Sequence, residues 1–305
     1  MSTLSVVIPS YNEERMIPKT AETISALLRR EKIPYQLIFV DDGSKDDTWK
    51  EIEEVAVKDE YITGIHFSRN FGKESAIFAG LASARGDCCA VMDCDLQHPP
   101  ETLVQMYRLW EQGYEVVEGV KRSRGKENPL HRASAGLFYK LISKAVKIDM
   151  SRASDFKLMD KKAVDALLNM PERNAFFRAL SSWVGYESAT VEFDVQERTE
   201  GESKWSAWSL IKYAVTNIAA FSAVPMQLVT IAGLFVFLMG LVVGIQTLVK
   251  YFSGHAVEGF TTVILLILFV GSVIMISLGI IGYYISKIYE EVKGRPRYLI
   301  SKKIH

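Results

Sequence analysis

Two long stretches near the end of the chain carry no charge, and they limit its possible folds more than any other feature. Residues 226–249 form an uncharged run of 24 residues, and residues 259–286 form a second of 28. A helix needs about 20 apolar residues to cross a bilayer core, so each run is long enough. A soluble core helix of this length would carry a polar stripe, which neither run has. The connecting residues 250–258 are too few for a domain, so the runs are expected to pair as a hairpin with both outer ends on one side. The flanks set its direction. Lys287, Lys293, Arg295, Arg297, Lys302 and Lys303 follow the second run, whereas the connection holds only Lys250 and Glu258. The positive-inside rule then puts residues 1–225 and the C-terminus in the cytoplasm, and a multi-pass protein of the cytoplasmic (inner) membrane is the expectation. The run Leu4–Pro9 is too short for the apolar region of a signal peptide. Gly240 and Gly244 form a G-x-x-x-G that permits close helix contact.

The chain has 305 residues, with 36 basic and 36 acidic side chains. This zero net charge hides a gradient. Residues 1–118 carry a net −9, residues 119–225 a net +5 and residues 226–305 a net +4. The balance argues against nucleic-acid binding, which usually needs a basic excess. The gradient points to an anionic or membrane partner for the later part. Hydrophobic residues make up 49%, which excludes a disordered chain. Cys88, Cys89 and Cys94 are too few for a disulfide scaffold and lack metal-ligand spacing, so they are expected to be small apolar fillers.

The first 120 residues alternate between short apolar runs and helical patterns. Strands are expected at Leu4–Pro9, Gln36–Val40, Ile62–Phe67, Cys88–Met92 and Glu115–Val120. Helices are expected at Glu13–Arg30, Thr48–Lys58, Glu74–Ala84 and Glu101–Gln112. This rhythm predicts an α/β domain with a mostly parallel sheet flanked by helices. Ligands of such sheets bind beyond the carboxyl ends of the strands. Polar clusters stand there: Tyr11, Asn12 and Glu13; Asp41 and Asp42; Asp93 and Asp95.

Asp93-Cys94-Asp95 is the sharpest of these. In extended chain, side chains at i and i+2 share a side, so the two carboxylates would offer hard oxygens to Mg²⁺ or Mn²⁺ shared with a diphosphate. A solvated turn is the bland alternative for any isolated D-x-D. Asp41-Asp42-Gly43-Ser44 is a turn signal that could also accept hydrogen bonds from a base or ribose.

Val7-Ile8-Pro9-Ser10-Tyr11-Asn12-Glu13-Glu14, Val40-Asp41-Asp42-Gly43-Ser44 and Met92-Asp93-Cys94-Asp95-Leu96-Gln97 have the order and spacing of family 2 glycosyltransferases. So do Arg69-Asn70-Phe71-Gly72-Lys73-Glu74, Asp155-Phe156-Lys157-Leu158-Met159-Asp160, Ser182-Trp183-Val184-Gly185 and Gly201-Glu202-Ser203-Lys204. With the apolar hairpin, the whole chain resembles the polyisoprenyl-phosphate glycosyltransferases. These include bactoprenol glucosyltransferases and, more distantly, dolichol-phosphate mannose synthases.

The resemblance implies a GT-A fold and a UDP-sugar donor. It assigns Pro9, Tyr11, Glu13, Asp41, Asp42 and Asp93 to the nucleotide-sugar pocket. Asp93, Asp95 and Gln97 would hold the metal and the donor diphosphate. Arg122, Arg132 and Ser134 would meet the lipid phosphate, with Arg198 and Lys204 as a basic pair near the membrane. Asp155 matches the carboxylate proposed as the family's base, and Asp95 joins it as a catalytic candidate. The resemblance also implies a homo-oligomer, with a tetramer as one form, and the product would need a separate flippase.

Between the sheet and the hairpin, Leu130, Leu137, Phe138, Leu141, Ile142, Ala145 and Val146 recur at helical spacing among basic residues. Trp205, Trp208, Ile211, Val215 and Ile218 make a second stripe. Basic amphipathic helices with tryptophan can lie in a membrane interface; packing on the sheet is the ordinary alternative. The expected organisation is a catalytic domain at 1–203, including the basic segment 130–147. A juxtamembrane helix at 204–225 follows, then spans at 226–249 and 259–286 around an external loop at 250–258, and a basic tail at 287–305.

The expected reaction is inverting transfer of one sugar, glucose or N-acetylglucosamine, to undecaprenyl phosphate at the cytoplasmic membrane face. The lipid-linked monosaccharide would serve cell-envelope polysaccharide modification. A phosphate monoester has its second pKa near 6, so it needs little help from a base, and Asp155 could instead orient an arginine. A processive polysaccharide synthase would carry more spans and a Q-x-x-R-W motif, which the sequence lacks. A non-catalytic nucleotide-sugar receptor would need neither Asp155 nor the arginines.

Overall fold

The computed structural model describes residues 2–122, 154–172, 176–194, 224–254 and 259–305. Two compact units divide the chain: residues Met1–Ile211 with Pro296–His305, and residues Lys212–Arg295.

The first unit is built on an eight-stranded sheet. Its strands are β1 (Leu4–Ser10), β2 (Tyr35–Asp41), β3 (Ile62–Phe67), β4 (Cys88–Val91), β5 (Val116–Lys121), β6 (Lys157–Asp160), β7 (Ser188–Phe193) and β8 (Ile300–Ile304). They lie in the order β7-β5-β6-β4-β1-β2-β3-β8. The centre, β4-β1-β2-β3, is parallel, as the alternating sequence predicts. On one flank β6 runs antiparallel to both β4 and β5, and β7 returns parallel to β5. β5 therefore does not neighbour β4, because β6, from later in the chain, lies between them. This is the GT-A type of mixed sheet with covering helices.

The helices of this unit are α1 (Met16–Arg30), α2 (Thr48–Lys58), α3 (Lys73–Ser83), α4 (Pro100–Glu111), α5 (Lys161–Leu168) and α6 (Phe177–Trp183). α1 buries Met16, Ile17, Thr20, Ala21, Ile24, Leu27 and Leu28, a single stripe at helical spacing. It begins three residues later than the sequence pattern predicts, and Pro18 explains why. A helix begun at Glu13 would need an N–H at residue 18; begun at Met16, Pro18 falls in the first turn, where no N–H is required. Pro100 opens α4 for the same reason. The core joins Phe39, Leu37 and Ile8 of the central strands to Ile24, Ile52, Leu103 and Phe156, all fully buried. The three cysteines are reduced and buried there, and burial pushes the Cys89 and Cys94 thiols up to about 12, so they stay neutral.

The end of the chain departs from the expected basic tail. Residues Ile300–Ile304 form β8, antiparallel to β3 at the sheet edge. Tyr298 stacks on Phe67, with ring centroids 5.1 Å apart, and Arg297 donates to the carbonyls of Met170 and Glu172. A lysine-bearing strand of five residues suits an exposed edge, and its charge made it read as tail.

The second unit holds α7 (Val224–Phe252) and α8 (Phe260–Val292). Both run past the uncharged stretches at one or both ends, and α8 ends in a polar turn where Lys287 pairs with Glu290. Met226–Phe252 and Leu265–Val292 each contain an 18-residue stretch with a mean hydropathy of 2.7, and neither stretch is buried against other residues. They are long and apolar enough to cross a bilayer, and their exposure is not that of core helices.

Candidate active site

The site lies where the parallel strands end. Two loops there are laced together. The Asn12 N–H donates to Ser44 Oγ, the Lys45 N–H to Asn12 Oδ1, the Glu13 N–H to Thr48 Oγ1, and the Asp47 N–H to Glu14 Oε2. Asn12 takes a left-handed φ of 55° to turn the chain off β1. This places Pro9, Tyr11 and Glu13 beside the Asp41–Ser44 turn, and Tyr11 is 40% exposed at its rim.

Asp41 and Asp42 face inward and organise backbone. Asp41 is fully buried; its Oδ1 accepts from the Ser44 N–H, and its Oδ2 lies 2.7 Å from His66 Nδ1. Asp42 Oδ1 and Oδ2 accept from the Phe71 and Gly72 N–H groups at 2.6 and 2.9 Å. Burial raises the Asp42 carboxyl above its ordinary pKa, and those two N–H donors oppose the rise. The two aspartates expected to line the nucleotide pocket thus spend these oxygens on shaping it. Asp42 ties down the Arg69–Gly72 loop, which delivers Lys73 to the first turn of α3. Gly43 is needed at the same crossing. It adopts φ +66°, and a Cβ there would lie 2.4 Å from the Arg69 carbonyl carbon.

β4 ends at Val91, so Asp93-Cys94-Asp95 is a turn rather than the extended chain the sequence implied, with Leu96 at φ 54°. Exposure still alternates along it. Cys94, Leu96 and His98 are buried, while Asp93, Asp95 and Gln97 are half-buried on the open side. Thr20 Oγ1 pins the turn by donating to the Cys94 carbonyl at 2.7 Å. The Gln97 N–H donates to Asp95 Oδ1. His98 is sandwiched by aromatics, stacked on Phe156 with centroids 4.6 Å apart and edge-on to Phe193.

Asp155, just before β6, reaches the same place. Lys73 Nζ lies 2.7 Å from Asp93 Oδ1 and 2.9 Å from Asp155 Oδ2. Arg178 of α6 donates from Nε to Asp155 Oδ1 at 2.6 Å and from Nη2 to Asp155 Oδ2 at 2.8 Å. Burial alone would raise the Asp155 carboxyl, but the Lys73 ammonium and the Arg178 guanidinium outweigh it and hold it well below the usual carboxylate range. Asp93 is lowered in the same way, burial opposing and Lys73 prevailing. The neighbouring Glu74 goes the other way: burial, then the charge of Asp155, push it up to about 7. Its Oε2 accepts the Phe177 N–H and so holds the start of α6. Beneath lies Lys157, fully buried, with Nζ 2.5 Å from Glu118 Oε1 and donating to Ser181 and Ser182.

Lys73 and Arg178 were not among the candidates named from sequence. Lys73 stood inside a quoted motif without a role, and its partners lie 20 and 82 residues away. Arg122, just after β5, is exposed, with Glu192 and Asp194 each at 3.5 Å. Arg132, Ser134, Arg198 and Lys204 lie outside the described residues, as do residues 130–147 and 204–223.

The donor chemistry suits a hard divalent cation. Asp93 and Asp95 supply carboxylate oxygens from one turn, and no third His, Cys, Asp or Glu joins them among the described residues. Such a pair suits Mg²⁺ or Mn²⁺, which take oxygen ligands.

The chain is similar to known glycosyltransferases. Residues 5–168 match the family model described as glycosyl transferase family 2. The chain is 39% identical over 300 residues to an uncharacterized glycosyltransferase of Synechocystis sp., covering 98% of this chain and 94% of that one. It is 39% identical over 305 residues to the SfII prophage-derived bactoprenol glucosyl transferase of Shigella flexneri, covering 98% and 97%. Among solved structures, mannosyl-3-phosphoglycerate synthase from Rubrobacter xylanophilus shares the fold, with a TM-score of 0.51 at 18% identity over 72% of this chain and 73% of that chain.

Proposed function

The chain belongs to glycosyl transferase family 2 and is a glycosyltransferase, and from that premise we propose that it moves one sugar from a UDP-sugar to undecaprenyl phosphate at a membrane surface. The observation that carries this is the meeting of Asp93, Lys73, Asp155 and Arg178 at the carboxyl ends of the strands. An acidic turn able to take a cation stands beside two fixed positive side chains, and both reactants are phosphates.

The sugar's bond to the diphosphate breaks and leaves negative charge on the departing nucleotide. A Mg²⁺ or Mn²⁺ held by Asp93 and Asp95, with Gln97 nearby, would neutralise that charge. Pro9, Tyr11 and Glu13 flank the opening in which the nucleotide would lie. The acceptor phosphate has a second pKa near 6, so its oxygen is ionised in the cytoplasm and can attack without losing a proton. Asp155 then acts as an orienting group: a carboxylate held this far below its usual range is a poor base, but it fixes Arg178 and Lys73. Direct displacement inverts the anomeric carbon and requires no covalent intermediate.

The acceptor class rests on the bactoprenol glucosyl transferases that match this chain along nearly its whole length. The two apolar helices provide the anchor, with residues 1–225 and the C-terminus on the cytoplasmic side. Arg122, Arg132, Ser134, Arg198 and Lys204 would receive the lipid phosphate, with glucose or N-acetylglucosamine as the sugar. Assembly as a homo-oligomer and export by a separate flippase complete the scheme. A donor screen tests it. UDP-glucose, UDP-N-acetylglucosamine and GDP-mannose are each offered with undecaprenyl phosphate, and the anomeric configuration of any lipid product is read by NMR. One UDP-sugar giving an inverted product is expected; transfer from GDP-mannose alone, or retention, would refute the scheme.

A further inference from the structure

Asp93 and Asp155 come from different parts of the sheet, one after β4 and one before β6, yet a single ammonium touches both. Lys73 is brought there by the Arg69–Gly72 loop, whose backbone Asp42 holds through two N–H groups. Two carboxylates this close repel one another, and the ammonium between them offsets that repulsion. Asp155 has a second cation in Arg178, whereas Asp93 pairs with Lys73.

We propose that Lys73 is a positioning residue that occupies Asp93 until the donor arrives, then gives up that carboxylate to the divalent cation and turns to the donor's phosphate oxygens. This rests on the assignment of the cation to Asp93 and Asp95. A cation on Asp93 would sit about 2.1 Å from a carboxylate oxygen. An ammonium 2.7 Å from the same carboxylate would then be close enough for strong like-charge repulsion. Cation and ammonium therefore compete for Asp93. Metal arriving alone must displace Lys73 from Asp93 and offers it no new anion in return. Metal arriving with a diphosphate brings anionic oxygens for the displaced ammonium. Lys73 thus couples metal loading to donor binding.

The test is Mn²⁺ binding by the full-length protein, followed by EPR, with and without UDP. Wild type should bind Mn²⁺ weakly alone and more tightly with UDP. Lys73→Met should bind Mn²⁺ alone about fivefold more tightly or better, and UDP should then add less. Unchanged or weaker binding of Mn²⁺ alone by a folded Lys73→Met protein would overturn the lysine's role while leaving the metal site intact. A wild-type protein that binds no Mn²⁺ even with UDP would overturn the metal site itself, and the lysine's role with it. A measurement on wild type covers a variant that fails to fold. Saturating Mn²⁺ alone should speed acylation of the Lys73 amine, read by mass spectrometry, and an unchanged rate would overturn the competition.

Discussion

Arg178 donates two parallel hydrogen bonds to Asp155, from Nε to Oδ1 at 2.6 Å and from Nη2 to Oδ2 at 2.8 Å. This fork makes the two side chains one unit, and it determines what replacing either should do. Asp155→Asn and Arg178→Ala should each lower kcat at least tenfold, and the double variant should be little worse than either single one. Arg178→Lys should not rescue, because an ammonium cannot make the fork. Asp155→Asn with near wild-type turnover would remove Asp155 from the reaction, and full additivity of the two losses would break the unit.

Glu74 gives the fold a pH dependence whose sign can be worked out. Its carboxyl is raised from 4.5 to about 7, so between those values the folded protein holds a proton that the unfolded chain has released. Rising pH therefore favours the unfolded chain across that window, and this contribution to stability falls from about pH 5 to pH 7. Glu74→Gln keeps an acceptor for the Phe177 N–H and removes the titration. Its Tm relative to wild type should rise between pH 5 and pH 7 and then level off. A constant difference across that range would contradict the assignment.

Gly43→Ala should cost about 2 kcal/mol or more, because it adds both a left-handed strain and a clash with the Arg69 backbone. The loop that carries Lys73 shares that crossing, so UDP affinity should fall together with Tm. Thermal melting and UDP titration check the pair; wild-type values in both would show that the loops can separate freely.

Tyr298→Ala should release the end of the chain from Phe67 and expose the β3 edge. A loss of about 1–3 kcal/mol is expected, with faster proteolysis after residue 295. Unchanged cleavage would mean that β8 holds without the stacked pair.

The parallel centre of the sheet was legible because each of its strands is a short apolar run closed by a polar turn. The acidic turn at Asp93–Asp95 was legible for the same reason, since it closes such a run. β6, β7 and β8 were not. β6 is four residues long and β8 is rich in lysine, so neither has a pattern that separates strand from loop; β7 does alternate, Ala189, Val191 and Phe193 against Ser188, Thr190 and Glu192, and is absent from the expected strands. The Lys73–Asp155 and Arg178–Asp155 contacts depend on how the sheet brings distant segments together, which periodicity does not encode. Asp41 and Asp42 show the opposite limit. Their residue types fitted a ligand pocket, and nothing in the pattern showed that they also hold the backbone around it.

The central claim is transfer of a single sugar to a lipid phosphate, and the product itself tests it most directly. The purified full-length protein is given labelled UDP-sugar, undecaprenyl phosphate and Mn²⁺, and label is followed into the organic phase. Label is expected in a lipid carrying one sugar, and it should be lost on chelation of the metal or in Asp93→Ala. Label in a polymer, or UDP-sugar bound without turnover, would contradict the account.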